Sequence, residues 1–303
     1  MVTTARSRDY TAPALRSFWR TTNVASDDRF LLFDNDASYE LERSCRPEEV
    51  HLVKHSEPHS FAANVNLALR EAHASNSDCV FLNNDIILAP DWLEAIAVPE
   101  PIITAPLCNR EVQYRLHVTV AQSGELIDSF ACGMPMELAD YDGHEAAFEA
   151  IARAHQNATQ SYLPVAALPF FCIRIPWEVI DVLGALDESF GKGGGEDYDY
   201  CLRARLAGFE VRYATRSYLL HFGGKSTWSG AEDAATRLAR ERQFTLRFEE
   251  KWGSELTDLV LKDNQELLRQ RPELQEKIRT GGISAVLAEL LRDRSYEIKL
   301  PLS

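Results

Sequence analysis

The sequence predicts an α/β fold: a mostly parallel, mixed sheet flanked by helices. Three observations predict it. Short apolar runs at 30–33, 50–53 and 79–82 are continuous rather than alternating, as in strands covered on both faces. An amphipathic helical stretch separates the second from the third, which gives the strand–helix–strand order of a parallel sheet. The 303 residues are 45% apolar and 26% charged, enough for a large packed core.

Each element can be justified in turn. The run at 30–33 ends in Asp34-Asn35-Asp36-Ala37-Ser38, and the one at 79–82 ends in Asn83-Asn84-Asp85. Between them, residues 60–75 carry Phe61, Val65, Ala68, Leu69 and Ala72 at helical spacing behind Ser60 as N-cap. Asp91 with Glu94 three positions on has capping-box spacing and opens a short helix toward Val98. The stretch 104–163 is less regular, with an antiparallel pair expected at 112–120 and 125–130 and no assignable element over 134–155. A strand is expected at 170–174, then a helix at 176–184 with Pro176 at its first position and Gly184 as its stop. A further helix opens near Asp197 and stops at Gly208, and 211–213 and 218–221 read as the last strands. Everything after Gly230 has helical pattern, with a separate C-terminal helical appendage.

Composition excludes several classes. A net charge of −14 opposes a broad nucleic-acid surface, and 15 Gly with 13 Pro leave no room for a mainly disordered chain. The six cysteines form no C-x-x-C pair, so buried thiols in a reducing, cytoplasmic setting are expected rather than disulfides or zinc. The first residues lack an apolar leader core, and no later run reaches membrane-spanning length. Peripheral attachment through a partner stays open.

Three groups of residues carry chemistry. Ligands of open α/β sheets bind beyond the carboxyl ends of strands, which is where Asn83-Asn84-Asp85 and the pair Asp34 and Asp36 fall. Either group alone is an ordinary turn; two on neighbouring strands point to a site. Gly193-Gly194-Gly195 delivers Glu196, Asp197 and Asp199 to a helix start. Asp199 is the expected capping acid, and a cation or basic substrate would relieve the repulsion among the three. Finally, His221 ends a strand ahead of Gly223, Gly224 and Lys225, and an imidazole beside an Asp carboxylate is a partial donor set for a divalent metal such as Mn²⁺.

Taken together, these stretches resemble a family 2 glycosyltransferase of GT-A fold, the inverting, nucleotide-sugar-dependent kind similar to rhamnosyl- and galactofuranosyl-transferases. The most specific part is Gly184-Ala185-Leu186-Asp187-Glu188-Ser189-Phe190, then Gly195-Glu196-Asp197-Tyr198-Asp199-Tyr200-Cys201-Leu202-Arg203 and His221. The likeness covers about residues 1–252, with residues 2–8 a truncated first strand and its loop. It implies a nucleotide-binding part over about 1–100, an acceptor and catalytic part over about 101–230, and a helical extension at 253–303.

The family's D-x-D motif falls on Asn83-Asn84-Asp85. The resemblance thus makes Asp85 a metal ligand with His221 as the second, for Mn²⁺ or Mg²⁺, while Asn83 replaces the first acid. It places Thr3, Thr4, Ala5, Arg6, Arg8, Asp34, Asp36, Asn66, Asn83 and Asn84 around the nucleotide. Asp197 becomes the general base, Glu196 orients an acceptor hydroxyl, and Lys225 and Trp228 are candidates for phosphate or sugar contacts, as is Trp177. The implied donor is a UDP-, dTDP- or GDP-linked sugar and the expected acceptor a carbohydrate hydroxyl, in polysaccharide biosynthesis. A homodimer through the C-terminal helices is one open arrangement. Two other readings stand beside it. A sugar-nucleotide pyrophosphorylase would need a glycine-rich N-terminal loop, and the first glycine is Gly124. A nucleotide-sugar-binding or assembly subunit without catalysis would account for Asn83, but not for Asp197 together with His221.

Overall fold

The structure, a computed structural model, describes residues 1–109, 137–157, 162–225, 232–262, 270–292 and 295–302; the pair expected at 112–120 and 125–130, Cys132 and Trp228 lie outside them. The first sheet is parallel, in the order β1 (Val2–Thr3), β2 (Phe30–Asp34), β3 (Val50–Lys54), with Val2 opposite Phe33 and Phe30 opposite Val50. The second sheet contains β4 (Cys79–Leu82), β5 (Ile86–Ile87), β6 (Ile102–Cys108), β7 (Tyr162–Pro164), β8 (Cys172–Ile175) and β9 (Glu210–His221), ordered β4-β8-β6-β9-β5 with β7 also on β9. Within it β6 and β9 run parallel, and the other pairings are antiparallel. The fold is therefore the mixed, helix-flanked sheet that the apolar runs predict, with parallel pairing concentrated in β1–β3.

Ser60 caps α2 (Phe61–Ala74) by accepting the Ala63 N–H at 3.1 Å, as its position before the apolar stripe requires. Other helices depart from expectation. α1 (Arg8–Thr21) lies where no element was expected; it contains Pro13, and burial of Ala14, Leu15, Phe18 and Trp19 holds the helix. Asp91, ahead of α3 (Trp92–Ile96), has φ 59° and makes no side-chain cap, because a cap needs extended backbone there. The irregular middle holds α4 (Leu138–Tyr141) and α5 (Glu145–Gln156) as well as β6. The two last strands expected at 211–213 and 218–221 are one, β9, whose register against β6 shifts between Pro106 and Leu107.

α6 (Trp177–Leu183) begins one residue after Pro176, and Gly184 ends it with φ 66°. A side chain at Gly184 would collide with the Leu300 carbonyl, which accepts the Ala185 N–H at 3.0 Å. Leu300 thus packs against the turn that ends α6, its own N–H donating to the Leu183 carbonyl at 2.9 Å. α7 (Glu196–Leu206) packs Tyr198 and Leu202 against α8 (Ala234–Trp252), α9 (Ser254–Leu256) with its following π turn, and α10 (Pro272–Leu291), in one buried cluster. The five described cysteines are buried free thiols. Among the described residues no helix is long and apolar enough to cross a membrane.

Candidate functional site

Backbone pairing builds the centre of the site. β5 runs antiparallel to β9 with Ile86 opposite His221, so Asp85, one residue earlier, lies beside the end of β9 and its carbonyl accepts the Phe222 N–H at 2.9 Å. As a result Asp85 Oδ1 sits 3.5 Å from His221 Nε2, and Oδ2 accepts the Lys225 N–H at 3.1 Å. The Asp85 side chain is fully buried, and its Oδ1 accepts no hydrogen bond from the described residues. Burial alone would raise its pKa; His221 and the Lys225 N–H outweigh it and hold the carboxyl below its ordinary value. His221 is fixed by stacking on Phe171, centroids 4.9 Å apart, and by its backbone N–H, which donates to Asn109 Oδ1 at 2.7 Å.

Asn83 and Asn84 divide their work. The Asn83 N–H donates to the Phe171 carbonyl at 2.7 Å. The Asn84 amide is wholly buried and braces the first loop, donating to Thr11 Oγ1 at 2.8 Å and Ser7 O at 3.2 Å. Thr3 Oγ1 meets Thr11 Oγ1 at 2.6 Å, and Thr4 Oγ1 meets Ser7 Oγ at 3.1 Å. Asp36 then ties this loop to the end of β2 by accepting the Ala5 N–H at 2.9 Å and the Ser38 hydroxyl. Burial works against its ionisation, and those hydrogen bonds still hold Asp36 below its ordinary pKa. Asp34 is different: fully buried, it accepts the Ser38 and Tyr39 N–H groups and builds the turn. Arg6 and Arg8 are exposed at the loop. Asn66 stands apart, its amide exchanging hydrogen bonds with Leu186 and donating to Glu188, where it fastens α2 to the loop before α7.

The glycine loop brings in the acids. Gly193, Gly194 and Gly195 all have positive φ, a path for which glycine is suited. Glu196 is buried, its Oε2 accepts the Gly194 N–H at 2.5 Å, and burial together with the neighbouring Asp197 charge pushes its pKa up to about 8. Asp197 Oδ2 accepts the Phe170 N–H at 3.4 Å. Phe170 and Phe171 thus join the acid pair to Asn83 and His221 within two consecutive residues.

Some expected roles move. Asp199 is no cap: fully buried, it binds Arg203 Nε at 2.9 Å, Trp252 Nε1 at 2.9 Å and Lys251 Nζ at 2.7 Å, pinning α8 to α7. Lys225 Nζ is held by Glu137 at 2.7 Å, and Tyr10 donates to the same carboxylate at 3.1 Å. Burial and then Glu137 push Tyr10 up to about 12. Glu137 was invisible in sequence because nothing in 134–155 marks it as facing Lys225. Trp177 follows the β8 residue opposite Cys79, so it lies at the end of β4 away from Asn83, against His73.

Two protein donors, Asp85 and His221, converge, and among the described residues no cluster of three or more His, Cys, Asp or Glu can hold a metal. The buried Asp85 Oδ1 with no hydrogen bond is what a divalent cation would satisfy, with further ligands left to a substrate and water.

No family model matches the chain. The "Uncharacterized protein y4gI" of Sinorhizobium fredii (strain NBRC 101917 / NGR234) is 26% identical over 205 residues, 67% of this chain but 21% of the relative, so the chain spans about a fifth of its length. Two solved structures are similar in fold. GalNAc-T7, in a crystal structure with UDP, GalNAc and Mn²⁺, has a TM-score of 0.52 at 12% identity, covering 92% of this chain and 51% of that one. The mannosyltransferase PcManGT from Pyrobaculum calidifontis, in complex with GDP-Man and Mn²⁺, has a TM-score of 0.51 at 14% identity, covering 96% of this chain and 76% of that one. With a helix-flanked mixed sheet shared across nearly its whole length, the chain has the GT-A glycosyltransferase fold.

Proposed function

We propose that the chain is an inverting glycosyltransferase of the family 2 kind, taking a sugar from a nucleoside diphosphate to an acceptor hydroxyl. The observation that carries this reading is the Asp85–His221 pair set against the Glu196–Asp197 pair, with Phe170 and Phe171 between them, beyond the ends of β4 and β9. The two neighbours named above, seen with UDP or GDP-Man and Mn²⁺, lend the same direction.

Asp85 and His221 would hold Mn²⁺ or Mg²⁺. A divalent ion there supplies positive charge to a departing diphosphate. The chain's own residues do the rest. Asp197 takes the acceptor proton as the oxygen–C1 bond forms and the bond from C1 to the diphosphate oxygen breaks on the opposite face. Glu196, which carries its proton at neutral pH, leaves the charge of the acid pair on Asp197 and orients the hydroxyl. The loop of Thr3, Thr4 and Ala5, closed by Asp36, lines the nucleoside, with Arg6 and Arg8 at its mouth. Residues 1–252 form the catalytic unit on this reading, in a cytoplasmic polysaccharide-building role.

The test is turnover of UDP-, dTDP- and GDP-sugars by wild type and Asp197→Asn. Donor turnover abolished in the variant while donor binding persists is the expected result. A wild type that binds a donor but never turns it over, with or without acceptor, overturns the assignment.

A further inference from the structure

The loop that delivers Glu196 and Asp197 is held along its length by one face of α8. Arg240, Phe244, Arg247, Phe248 and Lys251 recur there at helical spacing and meet the segment 187–195. At the far end Lys251 Nζ donates to Asp187 Oδ2 at 3.0 Å and Arg247 Nε to Ser189 Oγ at 2.8 Å. Phe248, wholly buried, lies against Phe190 and Gly195.

The remaining two contacts fall on the glycines nearest the acids. A side chain at Gly194, where φ is 131°, would collide with the Phe244 ring, so the ring lies directly against the backbone there. The Gly194 N–H is the one that Glu196 Oε2 accepts. Arg240 Nη1 donates to the Gly193 carbonyl at 3.0 Å, and its Nε donates to Glu232 Oε1 and Oε2 at 3.2 and 3.0 Å. Both side chains of that ion pair are largely buried, so the guanidinium is fixed between a carboxylate and the loop rather than free in solvent.

Electrostatics point the same way. Asp197 on α7 and Arg240 on α8 act on Glu196 in opposite senses: burial and the Asp197 charge raise its pKa, and the guanidinium lowers it. Without Arg240 the acid pair would hold its proton to higher pH.

We propose that Arg240 and Phe244 are positioning residues for the acid pair: Phe244 fixes the Gly194 backbone that bonds Glu196, and Arg240 anchors Gly193 while bringing a positive charge to Glu196. The inference rests on the role given above to Glu196 and Asp197 in sugar transfer, and adds the helix that holds them.

The test follows the carbon-13 signal of the Glu196 carboxyl against pH, assigned by its absence in Glu196→Gln, and uses no sugar nucleotide. Arg240→Gln is expected to move the titration midpoint up by about one pH unit, and Arg240→Lys to leave it close to wild type. Arg247→Gln, at the far end of the same face, is expected to leave it unmoved. Hydrogen exchange of the Gly194 amide is expected to be about tenfold faster in Phe244→Leu, which keeps an apolar side chain in place. Where the wild type turns over a donor, Arg240→Gln and Phe244→Leu are each expected to lower kcat by about tenfold, with donor affinity unchanged.

An unmoved Glu196 midpoint in Arg240→Gln, an equal movement in Arg247→Gln, or unchanged Gly194 exchange in Phe244→Leu overturns the proposal, whether or not the chain transfers sugar. Turnover with kcat unchanged in both variants overturns it and leaves the transferase reading standing. A wild type that transfers no sugar, while midpoint and exchange move as expected, overturns the transferase reading alone.

Discussion

Asp85 Oδ1 lies 3.5 Å from His221 Nε2, although 135 positions separate them in the chain; the β5–β9 pairing alone brings them together. If the pair holds a divalent ion, removing the imidazole weakens it without disturbing the nucleoside loop. His221→Ala is expected to lower Mn²⁺ affinity, measured by calorimetry in the presence of a nucleoside diphosphate, by about 10- to 100-fold or more. Equal affinity in the two proteins contradicts the assignment.

Asp197 is expected to matter to rate and not to binding. Asp197→Asn keeps the side-chain shape and an acceptor for the Phe170 N–H, yet takes no proton. Its kcat is expected to fall by about 10²- to 10⁴-fold, with donor affinity unchanged within a few-fold. Steady-state kinetics beside direct donor titration reads both.

Glu196 makes stability depend on pH. Its carboxyl is raised from 4.5 to about 8 in the fold, so between those values the unfolded chain releases a proton that the folded chain keeps. Stability therefore falls as pH rises through that window and levels off above it. Glu196→Gln carries no such proton. Its Tm relative to wild type is expected to climb by several degrees from pH 5 to pH 8, and a constant difference would count against the buried, proton-bearing glutamate.

Asp199 anchors the helical layer behind the site. Asp199→Ala leaves Arg203 buried without its carboxylate and removes the Asp199 oxygen that accepts the Trp252 indole N–H. Denaturant unfolding is expected to show a loss of about 3–5 kcal/mol, typical of breaking one side of a buried ion pair.

Much of this arrangement was legible in the sequence where local physics decides. Ser60 capping α2, the run of β4 into Asn83, and Gly184 ending α6 follow from spacing, cap chemistry and backbone freedom. The misses are tertiary. α1, for which no element was expected, runs through Pro13 because Leu15, Phe18 and Trp19 are buried. Asp199 looks like a cap until Arg203 and Trp252 arrive from one helical turn on and from α8. Asp34 and Asp36 are alike in sequence, yet one is consumed by its own turn and the other reaches across to Ala5. Asp85 and His221 read as a pair from the family resemblance; what sequence could not supply was Glu137 on Lys225 or Phe170 and Phe171 linking the two halves of the site.

The most direct measurement is the thermal shift of wild type and Asp85→Ala with UDP, GDP, dTDP and CMP and their sugars, with and without Mn²⁺. A ligand at about 100 times its Kd stabilises a fold by about 2.7 kcal/mol, which is readily seen. The account predicts that one class of nucleoside diphosphate shifts the wild type only when the metal is present, and that Asp85→Ala loses the shift. No shift with any nucleotide and metal, or an undiminished one in Asp85→Ala, would contradict it.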